Sequence, residues 1–310
     1  VGGANVPLSR IFGGGAGMGL LRRTVKNEFW YVLFLVPGFS LFALALLIPL
    51  GMGIRYSFTD WDGIAQTLHY IGWGNYKNAL TDNDLWKALL NTFKYAIILT
   101  IAVNCLSLLF ALLLDSYLKF RNVFRTVFFL PSVISIVLSG FIWSYNYSTG
   151  LPKLFHFFGF ENVTSPLGNP DHALFGIIII AVWQGIGAPM IIYIAGLQGI
   201  PQELIESAKI DGAGTGRTLW NIVLPLLAPS FTINMVLTLT GSLKVFDLVF
   251  VTTHGGPAFA TEVMSTYIYR SSFASYKGGY GMALSMIFFV VLVIVTIIQL
   301  SIFRRREVEI

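Results

Sequence analysis

Cysteine, histidine and charge are all scarce in this 310-residue sequence, which holds one cysteine, four histidines and only 11% charged residues. The single cysteine, Cys105, excludes an intrachain disulfide framework, and its place inside an apolar block makes packing its expected role. No histidines, cysteines and acids are grouped at metal-ligand spacing, and no nucleophile stands beside a recognisable base. Neither a metal site nor a catalytic residue is therefore expected, and the chain does not read as an enzyme. The shortage of charge accompanies 55% hydrophobic residues and a mean hydropathy of +0.73. That excludes an ordinary soluble globule and implies an all-α integral membrane protein. A net charge of +5 and a pI near 9.3 would suit nucleic acid in a soluble domain, but in a membrane protein Lys and Arg mark topology. No nucleic-acid partner is expected.

The first 28 residues read as a flexible cytosolic tail. Their glycines, Gly13 to Gly19, do not form a phosphate loop, because Leu20 and Leu21 follow where Lys and Ser or Thr would have to stand. The chain opens on Val1 in place of Met, which leaves the origin of its first residues open. Residues 29–306 carry six apolar blocks, each long enough to cross a hydrocarbon core of about 30 Å: Phe29 to Ile54, Ala88 to Leu114, Phe124 to Tyr145, Ala173 to Leu197, Val223 to Val251, and Tyr280 to Phe303. Nothing resembling a cleavage site closes the first block, which reads as an uncleaved anchor. Trp61, Tyr70, Trp73, Tyr76 and Trp86 crowd the loop after it, as expected near a membrane–water boundary. With six spans, the tail, the second and fourth loops and the C-terminal end 307–310 share one side together with twelve Lys and Arg, against six on the other. The positive-inside rule makes the richer side cytosolic, so both termini are expected in the cytoplasm.

One cytosolic segment, Ile200 to Pro225, interrupts the apolar pattern with charges and glycines. Pro201 sits at a favoured helix start, with Glu203 and Glu206 in the first turns. Leu204, Ile205, Ala208 and Ile210 form an apolar stripe, and Asp211, Gly212, Gly214 and Gly216 stop the helix before a second begins near Thr218. Glu206, Ser207, Ala208, Gly212, Ile222, Leu224 and Pro225 fit the spacing E-A-A-x3-G-x9-I-x-L-P, with Ser207 in the place of the first Ala. This pattern resembles the signature loop of permease subunits in binding-protein-dependent ABC importers. The flanking GLQGIPQEL and KVFDLVFVTTHGGP resemble the carbohydrate-uptake branch, which includes the maltose importer.

The resemblance, which runs from about Trp30 to Arg306, implies a type I ABC importer permease fold in a bacterial plasma membrane. Its coupling helix would dock on a separate ATPase through Glu203, Glu206, Ser207, Ala208, Asp211, Gly212, Ala213, Leu224 and Pro225. The implied partners are a second homologous permease forming a heterodimer, two ATPase subunits that bind ATP and Mg, and an extracellular sugar-binding protein that delivers a sugar or oligosaccharide. No cofactor is implied for this chain itself. A different class, an ion-coupled secondary transporter of small polar solutes, would need acids within its helices and an inverted repeat; Asp247 is the one candidate acid.

Polar groups inside spans are candidates for a substrate path. Ser132, Ser135 and Ser139 share a helix face, where path and close helix packing both remain open. Gln184 and Gly185 fall where Gly187 and Pro189 loosen the fourth span. Asn234, Thr238 and Ser242 make a polar stripe on the fifth. Resemblance to the maltose importer places Ser132, Gln184, Gly185, Ala188, Thr238 and Ser242 at its sugar-contact positions, with Ala188 replacing an aromatic group. Lys244 and Asp247, three apart, are expected to form an ion pair on a continuous helix, with contact to substrate as the alternative.

Overall fold

The computed structural model describes residues 31, 33–115, 119–160 and 164–304. The expected tail 1–28 and end 307–310 lie outside the described residues. Among those described, structure is helical apart from one isolated bridge, Thr59 to Tyr70. The chain divides into two units, Val1–Arg55 and Tyr56–Ile310. The first holds all but the last residue of helix α1, Leu33–Tyr56, which by length and hydropathy is a membrane span. Phe34, Leu41 and Leu44 are exposed along it.

The second unit is strung along one helix. After α2 (Gly74–Leu80), helix α3 (Asn83–Asp115) runs for 33 residues, a rise of about 50 Å. Its buried positions include Leu85, Ala88, Thr92, Tyr95, Leu99, Val103, Ser107, Ala111 and Leu114. They recur every three to four residues, so one face of α3 meets the rest of the unit along its whole length. Three apolar cores follow in order along that face. Leu85 and Ala88 join Met264 and Leu284; Tyr95, Leu99 and Val103 join Ile177, Ile180 and Val249; Ala111 and Leu114 join Met190, Ile194, Leu197 and Leu227.

Three of the expected spans are bent pairs. Helices α4 (Arg121–Val133) and α5 (Ile136–Phe157) meet at 98°, α6 (Ala173–Gly185) and α7 (Gly187–Gln198) at 44°, and, beyond α8 (Gln202–Ile210), α9 (Thr215–Leu226) and α10 (Ala228–Leu243) at 64°. The causes are local. Ile134 and Ser135 are extended, with ψ of 139° and 136°. Pro189 and Pro229 each lack the N–H that would close the ladder one turn back. The fifth span departs furthest from expectation: Val223 to Val251 is broken at Leu227 and again between Lys244 and Phe246, and the chain resumes as α11, Asp247–Thr252. With α13 (Gly278–Arg304), preceded by α12 (Met264–Tyr269), the described helices supply up to six crossings if each bent pair counts as one.

At the Asn83 end of α3, a polar cap ties the connecting segments together. Asp82 accepts hydrogen bonds from Tyr267 and, at 2.6 Å, from Tyr280. Burial pushes its carboxyl up, but those hydroxyls and the backbone N–H groups of Asp84 and Leu85 outweigh it and hold Asp82 below the usual carboxylate range. Glu262, buried, pairs with Arg270 at 2.9 Å, and Arg270 also lies 3.8 Å from Asp84 and over the Phe259 ring. Burial raises the Glu262 carboxyl above its usual range against the pull of Arg270. Asn91 donates to the carbonyls of Ala260 and Glu262 at 3.1 and 3.0 Å.

Candidate functional site

The α4–α5 bend, the end of α6 and the α10–α11 break meet at a cavity of about 490 Å³ beside the middle of α3. Tyr95, Leu99 and Val103 form its apolar wall, while Ser132 and Ile134 come from the α4–α5 bend, Gln184 and Gly185 from the end of α6, and Thr238 and Ser242 from α10. Lys244 and Asp247 stand at the break that follows. Irregular backbone inside a membrane is tolerated where it lines a cavity or is satisfied by neighbours, and both conditions hold here. Gln184 Nε2 donates to the exposed carbonyl of Ile134 at 2.7 Å, and Ser107 Oγ donates to Ile186 O at 2.8 Å. Close approach is needed too: a Cβ on Gly187 would lie 2.8 Å from Phe129 Cα, so only glycine lets α7 cross α4 there.

Seven of the ten expected path residues thus line one cavity: Ser132, Gln184, Gly185, Thr238, Ser242, Lys244 and Asp247. Three do not. Ser135 is exposed at the α4–α5 break and Ala188 is exposed on α7, neither on the lining. Asn234 is fully buried and donates to Pro189 O at 3.1 Å, so the expected stripe is a cavity wall only in its last two members. The expected ion pair is absent as well. Helix α10 ends at Leu243, so Lys244 and Asp247 no longer sit one turn apart; both are exposed and no ion pair joins them. Cys105, expected in packing, is exposed on α3.

Two residues of the site escaped the sequence reading. Asn104 and Tyr193 are buried behind Thr238, with Tyr193 Oη donating to Asn104 Oδ1 at 2.8 Å and Asn104 Nδ2 donating to Thr238 Oγ1 at 2.9 Å. The signal was there, since Asn104 interrupts the longest apolar run with a side chain that cannot go unpaired in hydrocarbon.

At the far end of α3 from the cap lies the segment 200–225. Helix α8 stops in a Schellman turn: Gly212 N–H donates to Lys209 O at 3.1 Å and Ala213 N–H to Ala208 O at 2.9 Å, with Gly212 at φ 76°. Ile205 packs α8 against the core of Leu114, Leu197 and Leu227, and Ala208 is buried. Glu203, Glu206, Ser207 and Asp211 point to solvent, Ala213 and Leu224 are half-buried, and Pro225 is exposed. The apolar stripe is narrower than expected: Leu204 and Ile210 face outward, Ile210 at 86% exposure, joined by Trp220 at 71%. The second helix starts at Thr215, three residues before Thr218.

Residues 104–308 match the family described as the inner membrane component of binding-protein-dependent transport systems. The chain belongs to that permease family. The probable starch degradation products transport permease AmyD of Thermoanaerobacterium thermosulfurigenes is 34% identical over 92% of this chain and 97% of its own. The multiple sugar-binding transport permease MsmF of Streptococcus mutans is 33% identical over 92% and 99%, and the trehalose/maltose permease MalF of Thermococcus litoralis 34% over 77% and 81%. A solved bacterial ABC transporter that imports the acidic polysaccharide alginate shares the fold, with a TM-score of 0.80 at 22% identity over 92% of this chain and 98% of that one. The permease is thus a multi-pass membrane protein that works with a binding protein, and the ion-coupled alternative gains no support.

Proposed function

We propose that this permease forms one half of the membrane path of an ATP-driven importer for a sugar or oligosaccharide. The observation that carries the reading is the cavity itself, set where the α4–α5 bend, the end of α6 and the α10–α11 break leave polar side chains facing one open space, and joined through α3 and α7 to an outward-facing charged loop. Thr238 and Ser242 direct their hydroxyl hydrogens to the carbonyls of Asn234 and Thr238, at 2.6 and 2.5 Å. Each therefore offers a ligand only acceptor lone pairs, which suit the hydroxyl donors of a carbohydrate. Lys244 and Asp247 add one cation and one carboxylate, complementary to hydroxyl oxygens and hydrogens respectively. The names of AmyD, MsmF and MalF support the same substrate class.

In this reading the loop 200–225 is cytosolic, as the excess of Lys and Arg on its side supports, and both termini lie in the cytoplasm. Glu203, Glu206, Ser207 and Asp211 meet an ATPase, with Leu204, Ile210 and Trp220 as its apolar contacts. Ala208, Gly212, Ala213, Leu224 and Pro225 set the loop's shape. A second, homologous permease completes the path, two ATPase subunits bind ATP and Mg, and an extracellular binding protein delivers the sugar. The test is ATP-dependent uptake of labelled maltose, trehalose and maltotriose into vesicles holding the whole complex. Ser242→Ala, which loses only a bond within its own helix, is expected to lower uptake several-fold while the ATPases still co-purify. Uptake that proceeds without ATP, or is unchanged in Ser242→Ala and Thr238→Val alike, refutes the assignment.

A further inference from the structure

The hydrogen bonds behind Thr238 leave little freedom in how its hydroxyl meets the cavity. Asn104 Nδ2 reaches two oxygens, Thr100 O at 2.9 Å and Thr238 Oγ1 at 2.9 Å, and the first is a carbonyl that can only accept. That fixes the orientation of the amide, so Oδ1 faces Tyr193 Oη, which must donate. Both amide hydrogens are then used, and Thr238 Oγ1 accepts one of them. The Thr238 hydrogen goes to Asn234 O, again a carbonyl that can only accept. One lone pair of Thr238 Oγ1 is left unused by these bonds, on a residue that lines the cavity. A threonine in a helix otherwise divides between two rotamers, one of which would turn its methyl where the oxygen now stands. The bond from Asn104 selects between them.

Resting on the reading of the cavity as a sugar path, we propose that Asn104 is a specificity-determining positioning residue: from outside the cavity, it holds the Thr238 oxygen as a single acceptor that selects a hydroxyl donor on the substrate. Tyr193 supports it from behind by orienting the amide. Because Tyr193 belongs to the core that also seats α8, the acceptor is referenced to the rigid junction of α3 and α7 and not to α10 alone. A buried, fully bonded polar group is a more exact support than an exposed one, since each partner restricts the next.

The test is a double-mutant cycle on the intact complex of two permeases and two ATPases, purified without its binding protein so that sugar affinity reports this site. Equilibrium binding of labelled maltose, trehalose and maltotriose is measured for the parent, Asn104→Ala, Thr238→Val, Thr238→Ser and the two double variants. Asn104→Ala is expected to weaken binding by about tenfold, to add less than twofold on top of Thr238→Val, and to recover its full effect on Thr238→Ser. Equal effects of Asn104→Ala in the Val and Ser backgrounds overturn the proposal, because a residue that merely holds the fold acts in both. The same cycle read by Tm without sugar must also be non-additive, and additive Tm losses overturn the contact itself. If the parent binds none of the three sugars, that counts against the sugar path, and the Tm cycle still decides the link between Asn104 and Thr238.

Discussion

The two ends of α3 are held by opposite chemistry. At the Asn83 end, charged and polar side chains face one another: Asp82 with two tyrosines, Glu262 with Arg270, Asn91 with two backbone carbonyls. At the Asp115 end, α8 is seated by Ile205 and closed by backbone hydrogen bonds, while its carboxylates point outward. A directional network tolerates little displacement, because each bond has one geometry; an apolar seat is non-directional and lets a short helix shift while staying buried. The contrast suits a molecule with a fixed frame at one end and a surface that answers to a partner at the other.

Substitutions sharpen that contrast, and the cap should respond most. Glu262→Ala leaves Arg270 with the longer contact to Asp84 and the Phe259 ring, and is expected to cost about 3 kcal/mol, the low end for breaking a buried pair when the partner keeps some solvent. Thermal unfolding of the purified protein measures it, and a loss below about 0.5 kcal/mol would put the cap on a par with ordinary surface. Asp82→Asn should cost less, about 1.5 kcal/mol, and its cost should depend on pH. Since folding lowers the Asp82 pKa, its contribution is present above the ordinary carboxylate value and is lost as pH falls through the lowered one. The Tm gap between parent and variant is therefore expected to be full at neutral pH and to close on acidification below the ordinary value; a constant gap contradicts the assignment.

At the loop end, Gly212→Asp should cost about 1 kcal/mol. Its φ of 76° is unfavourable for a side chain, yet a Cβ there meets nothing within 4 Å, so the strain is conformational and not steric. Gly212→Asn, which tolerates that φ better, should recover much of the loss. The smallest stability effect is expected for Glu206→Lys, within about 0.5 kcal/mol, combined with the clearest loss of ATPase co-purification. If Glu206→Lys instead unfolds the protein, or both loop variants assemble and couple as the parent does, the two ends are not different in kind.

The spans, the loop and most of the cavity's polar members were legible in the sequence, because their signals are local. Long apolar runs, the charges of Ile200 to Pro225, and polar residues such as Gln184 and Thr238 within spans need only neighbours in sequence to be recognised. The tertiary structure alone decided which of them meet. Pro189 announces a bend, but its angle depends on what each helix packs against. The end of α10 at Leu243 separated Lys244 from Asp247 and turned both toward one space, against the helical spacing. Asn234 and Thr238 look equivalent along one helix face, yet α7 buries the first while the second is left at the cavity. Asn104 sits 134 residues from Thr238 in sequence, and no periodicity connects them. Helical propensity and apolar length act over a few residues, whereas a hydrogen bond between two spans is set by the relative placement of whole helices.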